Sequence, residues 1–280
     1  MKKTVFLILT LALCCGLRAQ DAEQFNQRYQ RQVAAAGISG AGVEYVLDQW
    51  AEVFPDDCRM LEGRFLYYYD KSRSEEVRAI PGKKKYLGRK PVLTLKDSLG
   101  RDVNYFTVPL FADSLFRISQ RSIDRAIAIE PSELSHRLHR ISALADYEKD
   151  SPDMASTDIL DLIDLYMDRK SGLSWKMDGK PLEEGEFESA MQEYCVLFYT
   201  KGSDNSYESF RIVSEKLSSL FPKNPLFQNN LGAYWQVVKE NDKKAAKFYK
   251  KALKLNPEDS AAKTNLSIIE KKKAKNKNKK

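Results

Sequence analysis

Leu231-Gly232-Ala233-Tyr234-Trp235 begins the stretch that decides the fold of this chain; Ala245 and Tyr249 follow four positions apart, then Ala252 and Pro257. The apolar and small residues fall into two adjacent segments with the spacing of helices. Pro257 closes the second segment, because proline lacks the N–H that would continue the hydrogen-bond ladder. One helix pair cannot bury its apolar face alone, so a pair of this kind implies neighbours stacked against it.

The stretch resembles a tetratricopeptide repeat, whose pattern runs L-G-x2-Y, then A-x3-F, then P over about 34 residues. The resemblance implies a mostly all-α fold, a solenoid of helix pairs. Leu231, Gly232, Trp235, Ala245, Tyr249, Ala252 and Pro257 are then the structural positions of the best copy, with the two helices closest at Ala245 and Ala252. In the family a concave face is formed by the first helix of each pair, and Asn229, Ala233 and Gln236 occupy the matching positions here. Small and amide side chains there suit hydrogen bonding to an extended peptide. The version of that groove that binds a C-terminal carboxylate adds Lys or Arg on neighbouring first helices, and the sequence offers no clear match for them.

Less regular copies lie upstream. From Phe187 to Tyr199, Met191, Tyr194, Cys195 and Phe198 recur at three and four. Gly202 ends that segment, and a second runs from Tyr207 to Phe221-Pro222. Phe210 and Leu217 stand where the family has alanine, which predicts a wider separation of these two helices. Ala126 precedes Pro131 by five positions, as Ala252 precedes Pro257; Trp50 to Pro55 gives a similar ending, followed by a helical run from Cys58 to Tyr69.

Two stretches interrupt the helices. Pro91 to Leu95 and Asp102 to Val108 read as strands around the Gly100-bearing turn, a β-hairpin insertion. Ser171 to Glu186 contains Trp175 and the Asp178-Gly179 turn signal. The expected organisation is a leader (1–19), a helical repeat-like region (20–80), the hairpin insertion (81–110), divergent helical repeats with a loop insertion (111–186), C-terminal repeats with a closing helix (187–270) and a disordered lysine-rich tail (271–280).

Lys2 and Lys3 precede an apolar run from Val5 to Leu13, and Ala19 is a small residue suited to cleavage before Gln20. This reads as a secretory signal peptide, too short to span a membrane, and predicts export to the periplasm or cell envelope. Cys14 and Cys15 stand where a bacterial lipoprotein carries its acylated cysteine, but Leu13 is a poor residue before such a site. Three of the 46 cations lie in this leader and seven in the last ten residues, leaving 36 against 39 acids between them. The body is not basic, so nucleic acid is not expected as a partner.

Catalytic chemistry is sparsely represented. The two histidines, His136 and His139, share a helix face with Glu133 one turn earlier, but Arg137 and Arg140 beside them repel a cation. Exposed histidines on a charged helix are the expectation, with no metal and no cofactor. Cys195 lies in an apolar run and is expected as a buried thiol, and a bridge to the distant Cys58 is not expected. Phe65, Tyr67, Tyr68 and Tyr69 are expected to pack between helices, leaving Trp175 as the aromatic exposed for a ligand. The expected function is that of a non-enzymatic, exported interaction protein, binding a peptide or protein through the concave face. The alternatives are an envelope component held to an anionic surface by its lysines, and a glycan-binding protein.

Overall fold

The computed structural model describes residues 21–277, with side chains to residue 274. The leader, with Cys14 and Cys15, lies outside the described residues, as do the last three positions of the tail. The described helices are α1 (21–36), α2 (Val43–Val53), α3 (Cys58–Ser72), α4 (Asp113–Ile129), α5 (Leu134–Glu148), α6 (Asp153–Met167), α7 (Glu186–Lys201), α8 (Asp204–Leu220), α9 (Pro225–Ala233), α10 (Asp242–Leu255) and α11 (Ser260–Lys277). Strands β1 (Arg73–Ala79), β2 (Leu93–Lys96) and β3 (Asp102–Phe111) form one sheet in the order β1-β3-β2. Strands β4 (Lys176–Met177) and β5 (Lys180–Pro181) form a short hairpin. The fold is mostly α, built of TPR-like helix pairs.

The pairs are punctuated by one repeated connector. Phe54-Pro55-Asp56-Asp57, Glu130-Pro131-Ser132-Glu133, Phe221-Pro222-Lys223-Asn224 and Asn256-Pro257-Glu258-Asp259 each end one helix and start the next. A residue before proline is driven out of the helical region by the proline ring. Accordingly Phe54, Glu130, Phe221 and Asn256 have ψ of 69°, 70°, 65° and 97°. Each still donates its N–H to the carbonyl four residues back, at 2.8 to 2.9 Å. Its own carbonyl then accepts the N–H of the fourth connector residue, at 3.0 to 3.2 Å. That fourth side chain caps the following helix: Asp57 accepts from Arg59 N, Glu133 from Ser135 N, Asn224 from Leu226 N and Asp259 from Ala262 N.

The described chain divides into two compact units. The first comprises residues up to Glu76, Pro109–Ala143 and Leu173–Pro181. Its core holds Trp50, with Phe25 stacked at 6.3 Å, and the buried Phe65, Tyr67 and Tyr68. The hydroxyls of Tyr67 and Tyr68 both donate to Glu44 at 2.8 Å, and Lys71 reaches the same carboxylate at 2.9 Å. These partners, Lys71 first and then Tyr68, hold the Glu44 carboxyl down at about 2. The aromatic run of α3 is therefore packed between helices, as its sequence implies.

The second unit comprises Val77–Val108, Leu144–Gly172 and Leu182 onward. In its best pair, Gly232 of α9 faces the Tyr249 ring of α10: a Cβ at 232 would stand 2.4 Å from Cε1 and 2.6 Å from Cδ1. Ala245, Tyr249 and Ala252 are buried with Ala262 and Ile269 of α11, and Trp235 and Leu266 pack against them. Leu231 is buried as well, and Pro257 ends the pair. In the divergent pair, the bulky Phe210 and Leu217 are both buried in α8. Close approach is supplied elsewhere, where the Ser214 hydroxyl lies 3.6 Å from the Cys195 thiol.

Three expectations are corrected. The insertion begins at Arg73, not 81, because β1 adds an edge strand whose charged sequence, Arg-Ser-Glu-Glu-Val-Arg-Ala, lacks apolar alternation. It ends at Phe111. The lysine run is not wholly a disordered tail, since α11 continues to Lys277 and Lys272 pairs with Asp242 at 2.9 Å. Lysine and alanine are good helix formers and extend a helix whose first turns are already packed.

Gly232→Ala is expected to destabilise the protein by about 1–3 kcal/mol, since the buried Tyr249 ring has no room to yield. Ala252→Trp should cost more. Urea unfolding curves check both, and an unchanged midpoint for Gly232→Ala would contradict the packing described.

Candidate functional site

The face expected to bind a partner lies on α7 and α9. Helix α7 starts after Gly185 and ends at Gly202, both with positive φ, where a side chain would be strained. It buries Phe187, Met191, Tyr194, Cys195 and Phe198, which leaves Glu188, Gln192 and Val196 as a stripe at successive turns. Helix α9 buries Phe227, Asn230, Leu231 and Gly232, leaving Leu226, Asn229 and Ala233 along its open side, with Val237 beyond its end in the turn that follows.

Two amides fix these helices to each other. Gln192 Nε2 donates to Asn230 Oδ1 at 3.1 Å, and Asn230 Nδ2 donates to Gln192 Oε1 at 2.8 Å. The reciprocal pairing gives the buried Asn230 amide a partner for both its oxygen and its nitrogen and ties the two helices in register. One turn from these amides Val196 and Leu226 are exposed, at 49% and 39%, and Val237 in the turn after α9 is exposed at 52%. Asn229 is half-buried beside this face, and its Oδ1 is shut off from water without a hydrogen-bond partner.

Of the three residues expected on this face, Asn229 and Ala233 share the open stripe. Gln236 is committed within its own pair, where its Oε1 accepts the Tyr249 hydroxyl at 2.6 Å. The reason is local: Tyr234–Val238 is a π-turn, with Lys239 N bonded to Tyr234 O. One extra residue in a turn rotates everything after it away from regular α spacing. Periodicity counted from Asn229 carries no sign of that insertion.

Contrary to expectation, His136 is not exposed, and His139 is half-buried. His136 is buried, and His139 stacks on Phe65 at 6.1 Å with its Nδ1 2.9 Å from Glu62 Oε1. That carboxylate raises the His139 pKa above the ordinary 6.5, against the opposing effect of burial. Glu133 is also buried. Its carboxylate accepts the N–H groups of Asp178 at 2.9 Å and Gly179 at 3.0 Å, besides the cap to Ser135. Those two N–H groups belong to the β4–β5 turn, so Glu133 ties the second insertion to the start of α5. Trp175 is half-buried rather than open, with the Arg137 guanidinium 5.9 Å from its ring centroid.

No group of three or more His, Cys, Asp or Glu side chains among the described residues is arranged to hold a metal. Cys58 and Cys195 are free, buried thiols. Burial first, then for Cys58 the Glu130 carboxylate, pushes each thiol up to about 12, far from a reactive thiolate.

Two outcomes follow. Glu133→Ala leaves the Gly179 N–H without its acceptor and the Asp178 N–H with only the Ser135 hydroxyl at 3.0 Å, at a cost on the order of 1–3 kcal/mol. Hydrogen exchange at those two amides should accelerate, while amides of α10 stay protected. The His139–Glu62 pair stabilises the fold below the ordinary imidazole value, and its contribution is lost as pH rises through the raised folded value. The difference in urea midpoint between wild type and His139→Gln should therefore be larger at about pH 5.5 than at about pH 8.5.

No protein-family model matches the sequence, and no curated protein matches it. Solved structures do. The crystal structure of YrrB, described as a TPR protein with an unusual peptide-binding site, matches with a TM-score of 0.37 and 12% identity over 78% of both chains. The human IFIT1 dimer with PPP-AAAA matches with a TM-score of 0.33 and 11% identity, over 84% of this chain and 42% of that one. The P58(IPK) TPR domain matches with a TM-score of 0.33 and 11% identity, over 91% of this chain and 66% of that one. The chain thus spans less than two thirds of the second and third structures. Two of these structures, YrrB and the P58(IPK) domain, are described as TPR proteins.

Proposed function

We propose that this protein is a non-enzymatic interaction scaffold that holds an extended segment of a peptide or protein against the open face of α7 and α9. The observation that carries the reading is the exposure of Val196, Leu226 and Val237 around Asn229, whose carbonyl oxygen lacks a donor. Aliphatic side chains supply area to bury against an extended segment. The face carries no Lys or Arg beside Asn229 on its open stripes, so an internal peptide segment suits it better than a C-terminal carboxylate. We also propose that the leader directs export and is cleaved after Ala19, on the strength of its sequence.

A second reading, attachment to an anionic envelope surface, is favoured by the first insertion. Lys83, Lys84, Lys85 and Lys90 are exposed and form no ion pair among the described residues, in the same insertion as the exposed Val92, Leu93, Leu95 and Leu99. Cations near an anionic bilayer contribute on the order of 1 kcal/mol each.

Photocrosslinking from Asn229 and Val237 in cells, followed by mass spectrometry, identifies what lies on the face. Asn229→Arg should reduce that crosslink at Val237 at least several-fold without lowering the melting temperature. Unaltered capture would count against the face. Retention on anionic vesicles that survives Asn229→Arg and is lost with Lys83, Lys84 and Lys85 changed to Gln would instead favour the second reading.

A further inference from the structure

A cleft of about 450 Å³ opens in the first unit, between the starts of α3 and α5, the end of α4 and the β4–β5 turn. Its volume lies in the range of ligand pockets, roughly 300–1,000 Å³. Five carboxylates line it, from Asp57, Glu62, Glu130, Glu133 and Asp178, against the single guanidinium of Arg59.

Three of these acids have work within the fold. Asp57 caps α3 and binds Arg59 at 3.1 Å; Glu62 faces His139; Glu133 holds the β4–β5 turn. Arg59 is itself divided between Asp57 and Glu23, the latter at 2.8 Å, so its charge is used up locally. Glu130 and Asp178 have no cationic partner among the described residues. Asp178 accepts a neutral hydroxyl bond from Ser135 at 2.6 Å, and Glu130 stands exposed at the mouth. The Cys58 thiol, which lines the cleft, reports the resulting field: after burial, Glu130 is the largest influence raising its pKa.

The second, independent observation is His136. It lines the cleft at 4% exposure, and its Nδ1 is shut off from water with no hydrogen-bond partner. Buried polar atoms in folded proteins are nearly always paired. A donor entering the cleft would supply the imidazole with the bond that the fold leaves out. The carboxylates are dispersed around the walls rather than gathered into a coordination sphere, and they make no metal-holding group. Dispersed acceptors match a cation that carries several N–H donors.

We propose that this cleft binds the ammonium or guanidinium group of a basic side chain presented by a protein partner. The site is separate from the face on α7 and α9 and stands on the first unit alone. Glu130 and Asp178 supply charge at the mouth, and His136 accepts a hydrogen bond further in. Because side chains of this kind reach through several methylenes, the apolar stem stays near the rim while the charged end enters.

The test uses the full chain with three probes: a tetralysine peptide, the same peptide acetylated on every Nε, and spermidine. The chain has two histidines, so the imidazole Cε1 protons give two NMR signals, one from each ring. Tetralysine should shift the His136 signal more than that of His139, and should bind in calorimetry with an affinity that falls as salt is added. The acetylated peptide should bind at least tenfold more weakly. Glu130→Gln combined with Asp178→Asn should weaken tetralysine at least tenfold at an unchanged melting temperature. Both changes keep shape, and Asn-Gly forms the same kind of turn as Asp-Gly. Asn229→Arg should leave tetralysine binding intact, which separates failure here from failure of the α7–α9 face. Equal binding of the acetylated peptide, equal binding by the double variant, or no binding of tetralysine would overturn the proposal. Spermidine binding tighter than tetralysine would overturn the assignment to a protein side chain.

Discussion

The steric exclusion of the pre-proline residue from the helical region governs how this chain is divided. It acts between bonded neighbours and needs no tertiary contact, so it stops a helix before any packing is in place. Four helices end this way, and in each case the freed carbonyl is at once taken by the N–H three residues on. The turn and the cap of the next helix are consequences of the same stop. Helix α6 lacks the proline. It ends instead at Asp168, whose N–H is shared between Asp164 and Leu165, and leads into a 3-10 turn and the second insertion. After α6, where that stop signal is missing, the repeat is interrupted.

Much of this was legible in the sequence, because the determinants are local. Gly232, Ala245, Tyr249 and Ala252 announce a close helix pair, and the Asp178-Gly179 dipeptide announces its turn; φ is 51° and 75° at those two residues. Strands β2 and β3 are carried by apolar and β-branched residues, such as Leu93 paired with Tyr105 and Leu95 with Val103. Strand β1 was not legible. Its position at the sheet edge exposes most of its residues and leaves no hydrophobic alternation to detect. The fate of Gln236 was hidden for another reason: a π-turn changes the angular phase without changing composition. The burial of His136 was equally hidden, since Arg137, His139 and Arg140 give its helix a charged look while the neighbours that enclose it come from other segments.

Glu133 shows how one position in the connector acquires a second task. Asp57, Asn224 and Asp259 occupy the equivalent place with shorter side chains and act as caps. The extra methylene of glutamate lets its carboxylate serve the cap and the turn 45 residues later in the chain together. Backbone N–H groups satisfy the oxygens of this buried carboxylate, so it needs no cation as a partner. One carboxylate in the wall of the cleft is thus set by folding requirements.

The first insertion leaves α3 after Ser72 and returns to α4 at Ala112, and the N–H of Ala112 donates to the carbonyl of Ser72 at 2.8 Å. The excursion therefore enters and leaves through a gap one hydrogen bond wide. The entropy of closing a loop grows only slowly with its length, by about 0.6 kcal/mol per doubling. The α3–α4 pair is thus nearly indifferent to the length and content of what is threaded between its ends. For lineage and engineering alike, this junction is a place where the chain can exchange one appendage for another while the helices on either side keep their register.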